Sequence, residues 1–318
     1  LRLPELDAFR RRAVYVPTAW PPASRTVCSI PALTIGRPVS KVKVLNAGDL
    51  LLEFGGGTPS GRWSREPNVF SDVRKLGMNA AVIGWSLPYC RALCGDLTSC
   101  WWWEMSAQHN SMGERLSEIL PNQAISLFET TQFAPWGQSR ATLKHVQTVR
   151  EVLSRAVREA VDRRHDLVYL HLPVPHSPHA YDRRTQGFTL HNAPVAGYWD
   201  SLELLDKILF DLRRAMERSG VWDSTAILLS SDHWNRNSRR LDGREDHRVP
   251  FLLKMPGQNS GVVVPEQIHT VLSRDLVRAI LRRDIITPGD AAAWLEERGR
   301  RQLKNLRSST EEVKQEVL

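Results

Sequence analysis

Two hydrophobic periods take turns along this chain. Short apolar runs with little alternation occur at Val14–Val16, Asn79–Trp85, Asp166–Leu172, Ala226–Leu229 and again after Pro250. Runs of this kind, bounded by polar or turn residues, predict strands buried on both faces. Lys41–Leu45 and Asp49–Phe54 also read as strands, ahead of a flexible Gly55-Gly56-Gly57 loop that lacks the ending of a phosphate-binding loop. Between these runs the apolar spacing becomes helical. Leu3, Leu6 and Phe9, with Pro4 in the first turn, predict a short helix over Leu3–Arg12. Further helices are predicted over Val27–Thr34, Asn68–Lys75 (stopped by Gly77), Met112–Leu120, Ala141–Arg164, Ala196–Ser219, Thr270–Leu281 and Ala291–Arg298. Strands alternating with helices predict an α/β fold: a doubly wound, mostly parallel sheet flanked by helices. The expected organisation is one body over 1–290 and a charged helical tail over 291–318.

Chemistry-bearing residues gather where these elements end. The strand at 226–229 runs into Ser230-Ser231 and delivers Asp232 and His233 side by side. Ligands of open α/β sheets collect beyond the carboxyl ends of strands, and a carboxylate with an imidazole suits a divalent metal. The plain alternative is an Asp capping the next helix. Ser24 and Thr26 lie at the amino end of the helix expected from Val27, where free N–H groups favour an anion. A hydroxyl there is either a nucleophile for a phosphate or sulfate ester or an ordinary N-cap. His176 and His179 occupy a proline-stiffened loop after the strand ending at Leu172, and His247 stands immediately before the last apolar strand. Three polar clusters, 24–29, 171–179 and 232–247, thus fall at element ends.

Composition narrows the function classes only modestly. With 318 residues, 42% apolar and 25% charged, the chain can bury a sizeable core. The net charge of +8 is scattered as Arg pairs such as Arg163-Arg164 and Arg239-Arg240. That scatter suits anionic substrates or an anionic surface and argues against specific nucleic-acid binding. No apolar run approaches the roughly 20 residues that cross a bilayer. The first residue is Leu1, and its surroundings read like the middle of a domain, so an upstream segment is expected. Of four cysteines, Cys28, Cys90, Cys94 and Cys100, the last three fall close together beside Trp101-Trp102-Trp103. A disulfide is open to them, while zinc spacing is not met.

Taken in order, these clusters resemble the sulfatase-like branch of the alkaline phosphatase superfamily, which includes sulfatases, phosphoethanolamine transferases and lipoteichoic acid synthases. The likeness rests on four places. Thr26-Val-Cys-Ser-Ile-Pro-Ala-Leu-Thr-Ile-Gly36-Arg37 resembles the nucleophile segment, and counting from either end of it reaches Thr26. His176-Ser-Pro resembles the substrate-side histidine motif. Leu229-Ser-Ser-Asp-His resembles the metal motif, and His247-Arg-Val-Pro the late histidine before an apolar strand. The resemblance implies that Thr26 is nucleophile and metal ligand, that Asp232 and His233 are metal ligands, and that His176 and His247 contact the transferred group or a second metal. It implies a divalent metal: zinc for His and Asp ligands, calcium or manganese for a more oxygen-rich set. Thr26 stands where sulfatases carry a modified cysteine, and Cys28 is two residues away. The expected activity is therefore hydrolysis or transfer of a phosphate ester through a phospho-threonine, on a small-molecule, lipid or glycan substrate. A sulfuric ester hydrolase and an inactive member serving as a binding module are the alternatives. The family's first strand, with its acidic ligand, is expected upstream of Leu1, together with a membrane anchor that would place the protein on the extracytoplasmic face.

Overall fold

The computed structural model describes residues 1–104, 116–117, 120–121, 134–190 and 196–315, with the backbone alone at 134–140, 303 and 305–315. Helix α1 (Pro4–Arg10) leads into strands β1 (Val14–Tyr15) and β2 (Ala19–Trp20), then helix α2 (Thr26–Ile35). Strands β3 (Lys41–Asn46), β4 (Asp49–Glu53) and β5 (Gly61–Arg62) form a three-stranded sheet, followed by α3 (Val69–Lys75). Next come β6 (Ala80–Trp85), α4 (Tyr89–Ala92), β7 (Ser99–Trp103), the long α5 (Ala134–Ala160), β8 (Leu167–Leu170), β9 (Tyr181–Asp182) and β10 (Gly187–Phe188). The chain continues through α6 (Ala196–Arg218), β11 (Ile227–Ser230), α7 (Arg239–Asp242), β12 (Phe251–Lys254), β13 (Val262–Val263), β14 (Ile268–His269), α8 (Ser273–Leu281) and α9 (Pro288–Gln315). The helix expected over Met112–Leu120 lies largely outside the described residues.

The chain gathers into two compact units that interleave in sequence. The first comprises Leu1–Glu5, Val44–Asp49 and Asn79–Met216; the second comprises Leu6–Lys43, Leu50–Met78 and Glu217–Leu318. In the first, β6 pairs with β7 and β8, both in parallel, in the order β7-β6-β8. Every residue of β6 is buried, as its unbroken apolar run requires of a central parallel strand. Gly84 has a structural duty here. A Cβ at that position would stand 2.3 Å from the Tyr89 ring, so only glycine lets α4 pack this closely.

The second unit's sheet has the order β11-β12-β1-β13. The parallel expectation holds for β1 with β13, whereas β12 runs antiparallel to both β11 and β1. No crossover helix of useful length separates β11 from β12, since only the single-turn α7 intervenes, and antiparallel neighbours need none. Strand β11 was expected to be buried on both faces. Its apolar residues Ile227–Leu229 are instead half-buried, because among the described residues β11 has one sheet neighbour, β12.

The second core packs Val14, Val16, Phe251, Leu253, Ile268, Leu276 and Leu295 together. Ala291 and Leu295 of α9 are fully buried in it, so the stretch expected as a tail starts inside a packed helix. Helix α3 starts at an Asn68 cap whose side chain accepts from the Phe70 and Ser71 amides while Ser71 reciprocates, an arrangement worth about 1 kcal/mol. Helix α2 ends at Gly36 with φ 69°, a left-handed stop that suits glycine. Among the described residues no helix is long and apolar enough to cross a membrane.

Candidate active site

Thr26 is the first residue of α2, and the helix takes its N-cap from Arg25, with no side-chain capping bond. The Thr26 hydroxyl has no hydrogen-bond partner among the described residues. The N-cap alternative is therefore not realised: a hydroxyl stands at a helix amino end without a capping duty. Cys28, two residues on, is half-buried, and burial pushes its thiol pKa up despite the opposing charge of Arg25. A thiol held protonated is a poor nucleophile. Ser29 is buried and donates to the Ala23 carbonyl at 3.0 Å, which fastens the segment ahead of the helix.

Asp232 and His233 follow β11 directly. The Asp232 Oδ2 atom is buried with no hydrogen-bond partner among the described residues. It caps no helix, since the next one, α7, takes its N-cap from Ser238. A buried carboxylate oxygen without a partner is costly unless a cation satisfies it. His233 Nδ1 lies 2.7 Å from the Trp234 carbonyl and so carries the proton that it donates there. That fixes the tautomer and directs Nε2 outward as a lone-pair donor, the arrangement common to metal-binding histidines. Nε2 stands 3.8 Å from Asp232 Oδ2. Two atoms that far apart can both lie about 2.0–2.2 Å from one ion. The donor set thus fits a divalent metal.

His247 is positioned by the strand it precedes. The Val249 amide donates to the Ala19 carbonyl at 2.9 Å, which draws the His247 segment against β2. The imidazole stacks on Trp234, with centroids 4.2 Å apart, and meets Trp20 edge-on at 6.4 Å. Its Nε2 is 2.9 Å from Glu245 Oε1, and this contact holds the Glu245 carboxyl below its usual range. A cavity of about 390 Å³ opens beside it, bounded by Trp20, Pro21, Ala23, Trp234, His247 and His269. The structure thereby brings together His247, the residue after the Asp232-His233 pair, and the segment leading to Thr26.

His176 belongs to the first unit, where its Nδ1 lies 2.5 Å from the Ser177 carbonyl and its ring meets Trp85 at 4.8 Å. Trp85 also collects His145 and His171 at 6.2 and 6.0 Å. His179, the other histidine of that loop, is buried with Nδ1 3.0 Å from Ser201 Oγ. Ser201 donates its own proton to the Gly197 carbonyl, so His179 is the donor and serves packing.

Two features had no sequence signal strong enough to find them. One is the aromatic cavity, whose members lie far apart in the chain. The other is a cluster of Glu159, Asp162 and His165 in the first unit, with candidate ligand atoms within 4.8 Å of one another. Arg164 engages both oxygens of Asp162, and Arg155 stands 3.7 Å from Glu159. These carboxylates already have cationic partners, so the cluster is an ion-pair network.

A comparison with curated proteins finds no match. Among solved structures, the chain is similar to Ps i-CgsB in complex with k-i-k-neocarrahexaose, at 14% identity and TM-score 0.57, covering 91% of this chain and 68% of that one. It is similar to the lipoteichoic acid synthase LtaP from Listeria monocytogenes, at 14% identity and TM-score 0.55, over 91% and 67% of the two chains. The phosphonate monoester hydrolase of Agrobacterium radiobacter matches at 14% identity and TM-score 0.55, over 89% and 69%. Such identities speak for the fold alone. The sulfatase family model, however, matches residues 2–283. With that match spanning most of its length, the chain belongs to the sulfatase family of the alkaline phosphatase superfamily.

Proposed function

We propose that this sulfatase-family hydrolase or transferase acts on a phosphate ester through Thr26. The observation that carries the reading is the state of the two candidate nucleophiles. The Thr26 hydroxyl opens α2 without a protein partner, whereas the Cys28 thiol is half-buried with its pKa raised. In the proposed reaction Thr26 Oγ1 attacks phosphorus and gives up its proton to solvent. The bond to the ester oxygen breaks, and the phosphoryl group passes to Thr26. Water, or a second alcohol in a transferase, then takes the phosphoryl group and restores the hydroxyl.

Asp232 and His233 are the residues that would hold a divalent cation, zinc suiting this donor pair best. When bound, such an ion supplies positive charge that favours an ionised hydroxyl and offsets charge on the ester oxygens. His247, with Nε2 engaged by Glu245, offers Nδ1 as the nitrogen that returns a proton to the departing alcohol. The names of two similar structures, a lipoteichoic acid synthase and a phosphonate monoester hydrolase, are in keeping with a phosphorus ester. An extracytoplasmic setting is part of this reading, and the Cys90–Cys100 disulfide suits an oxidising compartment. The test pairs an aryl phosphate with the matching aryl sulfate on metal-loaded protein. Turnover of the phosphate, lost in Thr26→Ala and kept in Cys28→Ala, is expected; turnover of the sulfate alone, lost in Cys28→Ala, refutes the reading.

A further inference from the structure

Strand β3 is built unlike its neighbour. In the sheet order β3-β4-β5, β4 lies between two strands and buries Leu50 and Leu52, whereas β3 has β4 as its one sheet partner among the described residues. Lys41, Lys43, Val44, Leu45 and Asn46 of β3 are exposed, and Val42 is half-buried. Val44 is 63% exposed and Leu45 45%. The strand is nevertheless well tethered at both ends. Ahead of it, the Ser40 amide and hydroxyl both donate to the Glu53 carbonyl, at 2.9 and 2.8 Å. Beyond it, Asn46 Oδ1 accepts from the Gly48 amide at 2.8 Å, and Arg91 donates to the Ala47 carbonyl at 3.1 Å. An ordered edge with aliphatic side chains and an outer row of main-chain donors and acceptors is a template for another strand.

Its charges restrict what that strand can be and how it lies. Two copies joined antiparallel along β3 are related by a two-fold axis perpendicular to the sheet, because that axis reverses the strand while keeping every side chain on its own face. One residue must then stand opposite its own copy. Centring on Lys43 sets Lys43 against Lys43, and centring on Val42 sets Lys41 against Lys43 twice. Like charges directly opposite one another are unfavourable. Centring on Leu45 leaves little overlap. Centring on Val44 sets Val44 against Val44, Lys43 against Leu45 and Val42 against Asn46, with no lysine facing a lysine. The Lys43 ammonium already stands 2.5 Å from Glu53 Oε1 of its own chain, and its methylene stem is free to lie along Leu45. The two lysines thus reject the competing registers and leave one.

We propose that β3 joins two copies of this chain edge to edge, antiparallel, with Val44 on the two-fold axis. A second strand answers the outer main-chain groups of β3, which a lipid surface cannot do. The contact is small, so the association is weak, with a Kd of roughly 10–100 µM. It is independent of the phosphate-ester reading.

The experiment is sedimentation velocity on the full chain across a concentration series spanning that range. A reversible monomer–dimer equilibrium is expected. Val44→Lys, which sets lysine against lysine on the axis, should raise the Kd at least about tenfold, whereas Val44→Ile should leave it unchanged or lower. Melting temperatures verify that each variant is folded, which the exposure of Val44 favours. The register is read separately by cross-linking in a Cys94→Ser background, which removes the exposed native thiol. There Val44→Cys should form a disulfide-linked dimer under mild oxidation faster than Leu45→Cys, and this arm decides the matter if Val44→Lys does not fold. A monomer at every concentration, a dimer unaffected by Val44→Lys, or cross-linking no faster at position 44 than at 45 would overturn the proposal. So would a monomer that floats with phosphatidylglycerol vesicles, since the exposed side chains of β3 would then belong to a membrane contact.

Discussion

The histidines of the two units have been put to different uses. In the first unit, His145 and His179 are buried and both pKa values are depressed, chiefly by desolvation. His171 and His179 spend ring nitrogens on Tyr89 and Ser201. In the second unit His233 has one nitrogen tied to a main-chain carbonyl and the other facing a buried, unsatisfied Asp232 oxygen. The number of histidines is therefore a poor guide to a site. What separates packing from ligand binding is whether the polar atoms are already satisfied within the protein.

That contrast can be broken or sharpened by measurement. The largest effect is expected at the nucleophile: Thr26→Ala should lower kcat for an aryl phosphate by about 10³-fold or more with an unchanged melting temperature. Next comes the unsatisfied carboxylate. Asp232→Asn should lose bound divalent metal, measured by metal analysis after dialysis, while the metal-free variant should be at least as stable as metal-free wild type. Oδ2 makes no hydrogen bond that the substitution could break, so a clear drop in metal-free stability would count against a ligand role.

In the first unit the effect should depend on pH. Burial, with His176 and His179 nearby, pushes the His145 pKa down to about 4. Unfolded chains take up that proton at about pH 6.5, so the unfolded state binds more protons between those values and stability falls as pH falls. The His145 contribution is fully present above about pH 6.5 and drops by about 3 kcal/mol by pH 4. His145→Gln should flatten that slope in urea midpoints measured across the window. A smaller loss is expected for the scaffold of the second site. Arg274 binds Asp72 through two nitrogens and reaches the Ile35 carbonyl at the end of α2 at 2.7 Å. Arg274→Met should cost about 2 kcal/mol in chemical unfolding. Cys28→Ala should change turnover less than about twofold, since the thiol is held protonated.

Local pattern was sufficient for the elements. Strand β6 and helix α6 lie within a residue of their expected limits, because an unbroken apolar run and a 3.6-residue period are properties of neighbouring residues. The order of Thr26, His176, Asp232-His233 and His247 was enough to suggest the family that the model match over residues 2–283 bears out. Tertiary structure decided the rest. Whether β11 is central or at an edge depends on which strands pair with it. Glu159 and Asp162 find their cations at Arg155 and Arg164, a few residues away in sequence, whereas that Asp232 Oδ2 is left without a partner depends on what the rest of the fold brings beside it. Trp20 and His269 become neighbours only through the register of two strands almost 250 positions apart in the chain. Periodicity carries local conformation; hydrogen-bond satisfaction is a three-dimensional tally that no linear pattern encodes.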